Sequence, residues 1–287
     1  MRPNLPNKTI FIPTLPINEH EVFRAMRTYP DNVKVYHPHG RIDATSVFWL
    51  NKFQPNALNF AAFIDPKAGE PLTLAKRILA DINKLAWKFD VDRIITSDYA
   101  PQHAFNKWLP TQGFKQIEKV TEPQLRLSEV QLKAPGTAIT TRLLTSAELV
   151  NHPALWNEVA TTALTHYRSA HQNNPVSDIP LSTWQALLAA KLVMQAPAVL
   201  LDDQGSLASY CLIYQPTADR VTLDHFGETQ PGNLLSLTAA QVCWLESRFQ
   251  TITLNLSATD KSGLQIYRNF PFNKSAVYES YLKITQY

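Results

Sequence analysis

The order of strand, turn and helix signals runs through this chain twice, and that repetition limits the available folds more than any single motif does. Two long striped segments open alike, PLTLAKRIL at 71–79 and LLSLTAAQV at 234–242. Two short ones close alike, WLPTQGF at 108–114 and YRNFPF at 267–272. In the first half, VKVYHPHGRI, ATSVFWLNKF and ALNFAAFIDP are apolar runs separated by turn residues, the pattern of an antiparallel meander. Ala75, Ile78, Leu79, Ile82, Leu85, Ala86 and Phe89 then recur at helical spacing behind Pro71, which suits a first turn. DRIITSDY returns to strand, and a short helix stops near Gly113. The second half repeats this order. A helical run from Thr145 to His171 opens on a Thr145 or Ser146 cap. A hairpin turns at Asp203–Gln204–Gly205, RVTLDHFGE is a strand, and 234–249 is the long helix. TITLNLS is the next strand, and VYESYLKI ends the pattern. The reading is an α/β chain with mixed sheets, duplicated internally, with domains at 1–132 and 133–287 that divide within SEVQLKAPGT.

Composition narrows the function. In 287 residues, 27 basic and 24 acidic side chains leave a net charge of +3, and the cations are scattered. A nucleic-acid interface needs them clustered, so no nucleic-acid partner is expected. No apolar run approaches the roughly 20 residues of a membrane span, and 1–13 lacks the apolar core of a secretory signal. A cytoplasmic protein with no membrane partner is expected. Cys211 and Cys243 lie in apolar segments and read as small core residues of a reducing compartment. His37 and His39 form an i,i+2 pair with no second ligand cluster, so no metal is expected.

The stretch SATDKSGLQIYRNFPF at 257–272 follows the apolar strand TITLNLS with an acidic turn, a short helix, a tyrosine and an aromatic stop. This order resembles the closing motif of the GNAT acetyltransferase superfamily, V-x-x-x-N-x-x-A-x-x-x-Y-x-x-x-G-F. Asp260 stands at the Asn position, Gly263 at the small residue, Tyr267 at the tyrosine and Phe272 at the closing aromatic, with Pro271 where glycine is usual. The first half carries the same frame in Leu109, Gly113 and Phe114 without the tyrosine. The resemblance spans nearly the whole chain as two tandem GNAT-like copies and is strongest over 221–272.

It implies acetyl-CoA as cofactor and acyl transfer to an amine, carried on a small molecule or a peptide. In that fold two neighbouring strands part around the pantetheine arm, and the pyrophosphate rests on the long helix's N-terminus, where free amides and the dipole favour an anion. Phe226, Gly227, Gln230, Gly232, Asn233, Leu234, Leu235 and Asp260 become the cofactor-binding residues. Tyr267 would protonate the leaving thiolate, and Glu228 or Asp224 would take the amine's proton. Backbone amides near Phe226 would polarise the carbonyl. Tyr210, Tyr214, His166 and Tyr167 would line the acceptor pocket. Strand alternation sets Asp224 and Phe226 on one face and His225 on the other.

Both phosphate loops depart from the family's R/Q-x-x-G-x-G/A. In the second half Gly227 to Leu234 is a shortened loop, in which Gln230 could take the Q/R part. In the first half Pro71 removes a donor and Glu70 adds negative charge, so that half reads as a non-catalytic copy. Two other functions fit the sequence. One is a tandem binding or scaffold protein without catalysis. The other is an aminoacyl transferase using charged tRNA on cell-wall peptides, which the scattered charge disfavours. The enzyme reading depends on parted strands in the second half and on an open amide tip beside Asn233.

Overall fold

Each half wraps a parallel strand pair around one long helix, because a parallel pair needs a crossover longer than a tight turn. The computed structural model describes residues 20–37, 40–130, 142–229 and 231–285. The first half runs α1 (Glu21–Thr28), β1 (Val33–Tyr36), β2 (Ala44–Asn51), β3 (Gln54–Ile64), α2 (Pro71–Lys88), β4 (Arg93–Tyr99), α3 (Ala104–Trp108), β5 (Lys115–Thr121) and β6 (Gln124–Arg126). The second runs β7 (Arg142–Thr145), α4 (Ser146–Val150), α5 (Pro153–Ala170), α6 (Leu181–Ala189), β8 (Pro197–Leu201), β9 (Leu207–Tyr214), β10 (Arg220–Glu228), α7 (Asn233–Leu245), β11 (Thr251–Leu254), β12 (Leu256–Ser257), α8 (Lys261–Asn269) and β13 (Val277–Ile284). The mixed sheets and repeated order are those expected. Most of the linker expected in SEVQLKAPGT, its residues 131–137, and the histidine at position 39 lie outside the described residues.

The two sheets exchange strands. One has the order β1-β2-β3-β4-β13-β5-β12, the other β6-β11-β10-β9-β8-β7. Strand β13 therefore lies between β4 and β5, in register from Tyr278↔Tyr99 to Ile284↔Arg93 on one side. The run TITLNLS, expected as one strand, breaks at Asn255. Its first part pairs with β10 and its last two residues pair with Thr121 and Val120 of the other sheet. A division near residue 133 is thus one of chain order and not of sheet membership.

Side-chain alternation distributes the cores. On β9, Cys211 and Ile213 join the cluster under α7 and α8, while Tyr210 and Leu212 join the one under α5 and α6. On β3, Phe60 and Ala62 face α2, and Ala61 faces α1. Lys76, Arg77, Lys84 and Lys88 lie exposed along α2, as its stripe requires. The helical run expected from Thr145 to His171 is split at Asn151–His152, because Pro153 starts a new helix. Thr145 caps the first piece through a capping box with Glu148. Cys211 is buried as expected, and burial pushes its thiol up. Cys243, also expected in the core, is exposed on α7.

Candidate functional site

Strands β10 and β11 are paired from Arg220↔Thr251 to Leu223↔Leu254 and then part. Beyond that point β10 continues against β9, while β12 crosses to β5. The apex of the opening is pinned by Asp224, whose carboxylate accepts from the His225 amide (2.8 Å) and from the Asn255 side-chain amide (3.1 Å). Pairing with β9 slips between Asp224 and Phe226, and His225 takes a positive φ of 49°. This bulge overturns the expected alternation. With one extra residue in the left-handed region, Asp224, His225 and Phe226 all reach the same cavity.

That cavity, about 850 Å³, is built from both halves. His166, Tyr167 and His171 come from α5 and its end, Trp184 from α6, Phe53 from the β2–β3 turn, and Glu118 from β5. Asp260, Lys261 and Ser262 of the α8 start close another side. The first-half hairpin is fastened to the segment between α5 and α6, where Gln54 donates to the Asn174 carbonyl (3.0 Å) and Ser177 to the Phe53 carbonyl (2.8 Å). Aromatic rings form a continuous wall. Tyr167 lies 5.1 Å from Trp184, and Trp184 meets His225 edge-on at 5.5 Å. Behind them the Tyr210 hydroxyl and His166 Nδ1 are 3.2 Å apart. Gly227 makes room for that pair, because a Cβ there would stand 3.0 Å from the Tyr210 ring. Glu118, Asp224 and Asp260 give the cavity its acidity, against one Lys or Arg among the described residues, Lys261. Burial, followed by the fields of Glu118 and Asp224, raises the Tyr167 hydroxyl.

The remaining expected residues are placed differently. Tyr214 does not line the cavity; its ring lies 6.1 Å from His225, and its hydroxyl is buried without a hydrogen-bond partner among the described residues. Tyr267 lies seven residues past the Asp260 cap, about 10 Å along α8. Its ring packs on Phe272 and the core under α7, away from the cavity. Asp260 uses its carboxylate to cap α8, accepting from the Gly263 amide (3.1 Å). Gln230 lies outside the described residues. Glu228, expected as a base, is drawn to the N-terminus of α7, where its carboxylate accepts from the Leu234 amide at 2.9 Å.

The fit of coenzyme A turns on that tip. Gly232 caps α7 at φ 94°, Pro231 offers no N–H, and the carboxylate of Glu228 holds the Leu234 amide. The tip binds an anion, and the anion belongs to the chain. The Phe226 ring meanwhile lies over Gly263, with Cζ 3.1 Å from where a Cβ would stand and Leu256 Cδ1 at 2.8 Å. Glycine here makes room for that ring. As they stand, these residues do not fit the cofactor's pyrophosphate and arm. In the first half, Glu70 and Pro71 open α2. The space where β3 and β4 part holds His20, Phe63, Asp98 and His103.

Sequence reasoning missed Trp184, His171 and Phe53, and the His20, Asp98 and His103 cluster. Trp184 sits in an unassigned stretch, although its spacing to Leu181 and Leu188 is helical. His20 and Asp98 are 78 residues apart, so no local spacing joins them.

No family model matches the sequence, and no match is found among curated proteins. Solved structures are. A GCN5-related N-acetyltransferase from Sphaerobacter thermophilus superimposes with a TM-score of 0.60 at 13% identity, covering 86% of this chain and 78% of the other. A tandem GNAT protein from the clavulanic acid biosynthesis pathway gives 0.55 at 12%, covering 91% and 86%. A protein of unknown function from Staphylococcus epidermidis gives 0.51 at 9%, covering 84% and 91%. With its two bulged and crossover-linked sheets, this chain has the GCN5-related N-acetyltransferase fold in tandem form.

Proposed function

We propose that the second-half cavity binds a cationic amine, on a small molecule or a peptide, and that this chain acts as a tandem GNAT-fold binding protein. The observation that carries the reading is the lining: among the described residues, three carboxylates around an aromatic wall, with one opposing Lys or Arg. An ammonium group gains from both, by charge and by the negative faces of Trp184 and Tyr167. Asp224 is the expected anchor. Its side chain is 32% exposed, and the bulge holds it at the apex.

A second reading, acyl transfer from acetyl-CoA to that amine, is favoured by the parting of β10 and β12 beside the His225 bulge. It requires Glu228 to leave the Leu234 amide and Phe226 to leave Gly263. Without those movements the α7 tip would hold a carboxylate beside a pyrophosphate, a like-charge contact within the first turn.

Thermal-shift titration separates the two. A ligand that binds only the folded chain at 100 times its dissociation constant adds about 2.7 kcal/mol of stability, a shift of several degrees. Tyramine or spermidine should raise the melting temperature, Asp224→Asn should abolish the rise, and acetyl-CoA should leave it unmoved. A rise with acetyl-CoA would put the transferase reading first. Amines without effect on the wild-type chain would overturn the binding reading.

A further inference from the structure

We propose that His20, Asp98 and His103 form a binding site for one divalent transition-metal ion, zinc by the chemistry of the donors. The site lies in the first half, where the β3–β4 ladder ends at Phe60↔Thr96 and the two strands continue with other partners. Three elements converge there. Asp98 lies near the end of β4, His103 is the residue before α3, and His20 is the residue before α1.

Both imidazoles turn a ring nitrogen onto one oxygen. His20 Nδ1 lies 3.0 Å and His103 Nε2 3.3 Å from Asp98 Oδ2. Ligand atoms about 2.0–2.1 Å from a tetrahedral zinc stand roughly 3.3 Å apart, so this spacing suits such an ion. All three donor atoms lie within 4.8 Å of one another, and among the described residues no other group of three does so. Two imidazoles and a carboxylate form a donor set suited to zinc and unsuited to calcium or magnesium, which take oxygen ligands.

The surroundings fix that oxygen as a ligand. Asp98 Oδ1 is already held by the backbone amides of Glu21 (3.1 Å) and Tyr99 (2.8 Å), which aims Oδ2 at the histidines. Phe63 packs on both imidazoles, with ring centroids 5.7 Å away in each case. Charge argues the same way. The side chains of Asp98 and Glu21 are 3% and 7% exposed, and one cation, Arg24, pairs with Glu21. Among the described residues Asp98 has no Lys or Arg partner and is faced by the two histidines alone, and a buried charge requires compensation. His20 is 22% exposed, so the site opens to water on that side and keeps a fourth position for a water or a ligand atom.

The test uses the full chain, stripped with a chelator and then titrated with zinc chloride by calorimetry and cobalt(II) chloride by visible absorption. The expected result is one ion per chain with tetrahedral cobalt ligand-field bands. His20→Gln and His103→Gln should each weaken binding by more than the roughly 10–100-fold that loss of an outer-shell partner costs. Circular dichroism of the metal-free variants checks that they fold, and His20, partly exposed and outside the helix, is the safer replacement. Absence of uptake by the wild-type chain overturns the proposal and leaves a hydrogen-bonded carboxylate. Uptake unchanged in either variant overturns the three-ligand set.

Discussion

At the scale of single residues, glycines and cysteines give the sharpest expectations. Gly227 lies where a Cβ would be 3.0 Å from the Tyr210 ring and 3.2 Å from His166. Tyr210 is 2% exposed and cannot swing away. Gly227→Ala should therefore destabilise by about 1–3 kcal/mol, the usual range for overpacking, and displace His166 from the cavity wall. Chemical denaturation measures the first effect. Amine titration reads the second, as weaker binding. The thiols differ as sharply. Cys243 is exposed and Cys211 fully buried with its thiol pushed up, so a disulfide reagent should titrate one thiol in the native chain and two after denaturation. Two fast-reacting native thiols would contradict the burial of β9. The cysteine expectation failed at Cys243 because apolar neighbours in sequence do not tell which side of a helix a residue occupies.

At the scale of elements, periodicity and punctuation made much of the fold legible. The stripe of α2, the meander β1–β3, the β8–β9 turn and the α8 cap all follow from residues near one another in sequence. What stayed hidden depends on partners far away. The break of TITLNLS into β11 and β12 shows in no local signal, since Leu254 and Leu256 are both apolar and buried. Their different partners are set by the other sheet. The His225 bulge was equally silent, because a left-handed histidine looks like any strand residue in sequence. Tyr267 illustrates the converse, a motif position recognised from spacing whose side chain turned to the core. The most consequential element is β13. Truncation after residue 276 removes the strand between β4 and β5 and should leave the first sheet split, with two unpaired edges. Insolubility, or loss of amide protection in β4 and β5 by hydrogen exchange, is the expected readout. A soluble, protected first sheet would show that β13 is dispensable.

At the scale of the whole molecule, the halves are bound by exchanged strands as well as by a shared cavity. The cavity draws on β5 and the β2–β3 turn from one half and on α5, α6, β10 and α8 from the other. The candidate site was therefore legible only in part. The sequence pointed to His166, Tyr167, Tyr210 and Asp224, but Phe53 and Glu118 needed the packing of one sheet against the other. Exchanged strands should also make unfolding cooperative. Fluorescence from Trp49 in the first half and from Trp184 in the second should report one coincident transition when the other tryptophans are replaced. Separate midpoints would mean that the sheets melt independently.

The placement of β13 bears on how the chain is made. Ser97 and Ser280 share a hydrogen bond across 183 positions, so β4 has no partner on that side until the ribosome has added that much further chain. During that interval the nascent first half carries two bare strand edges around a missing centre, the kind of surface that recruits other chains or a chaperone. Completion of the first sheet waits for β13 to emerge.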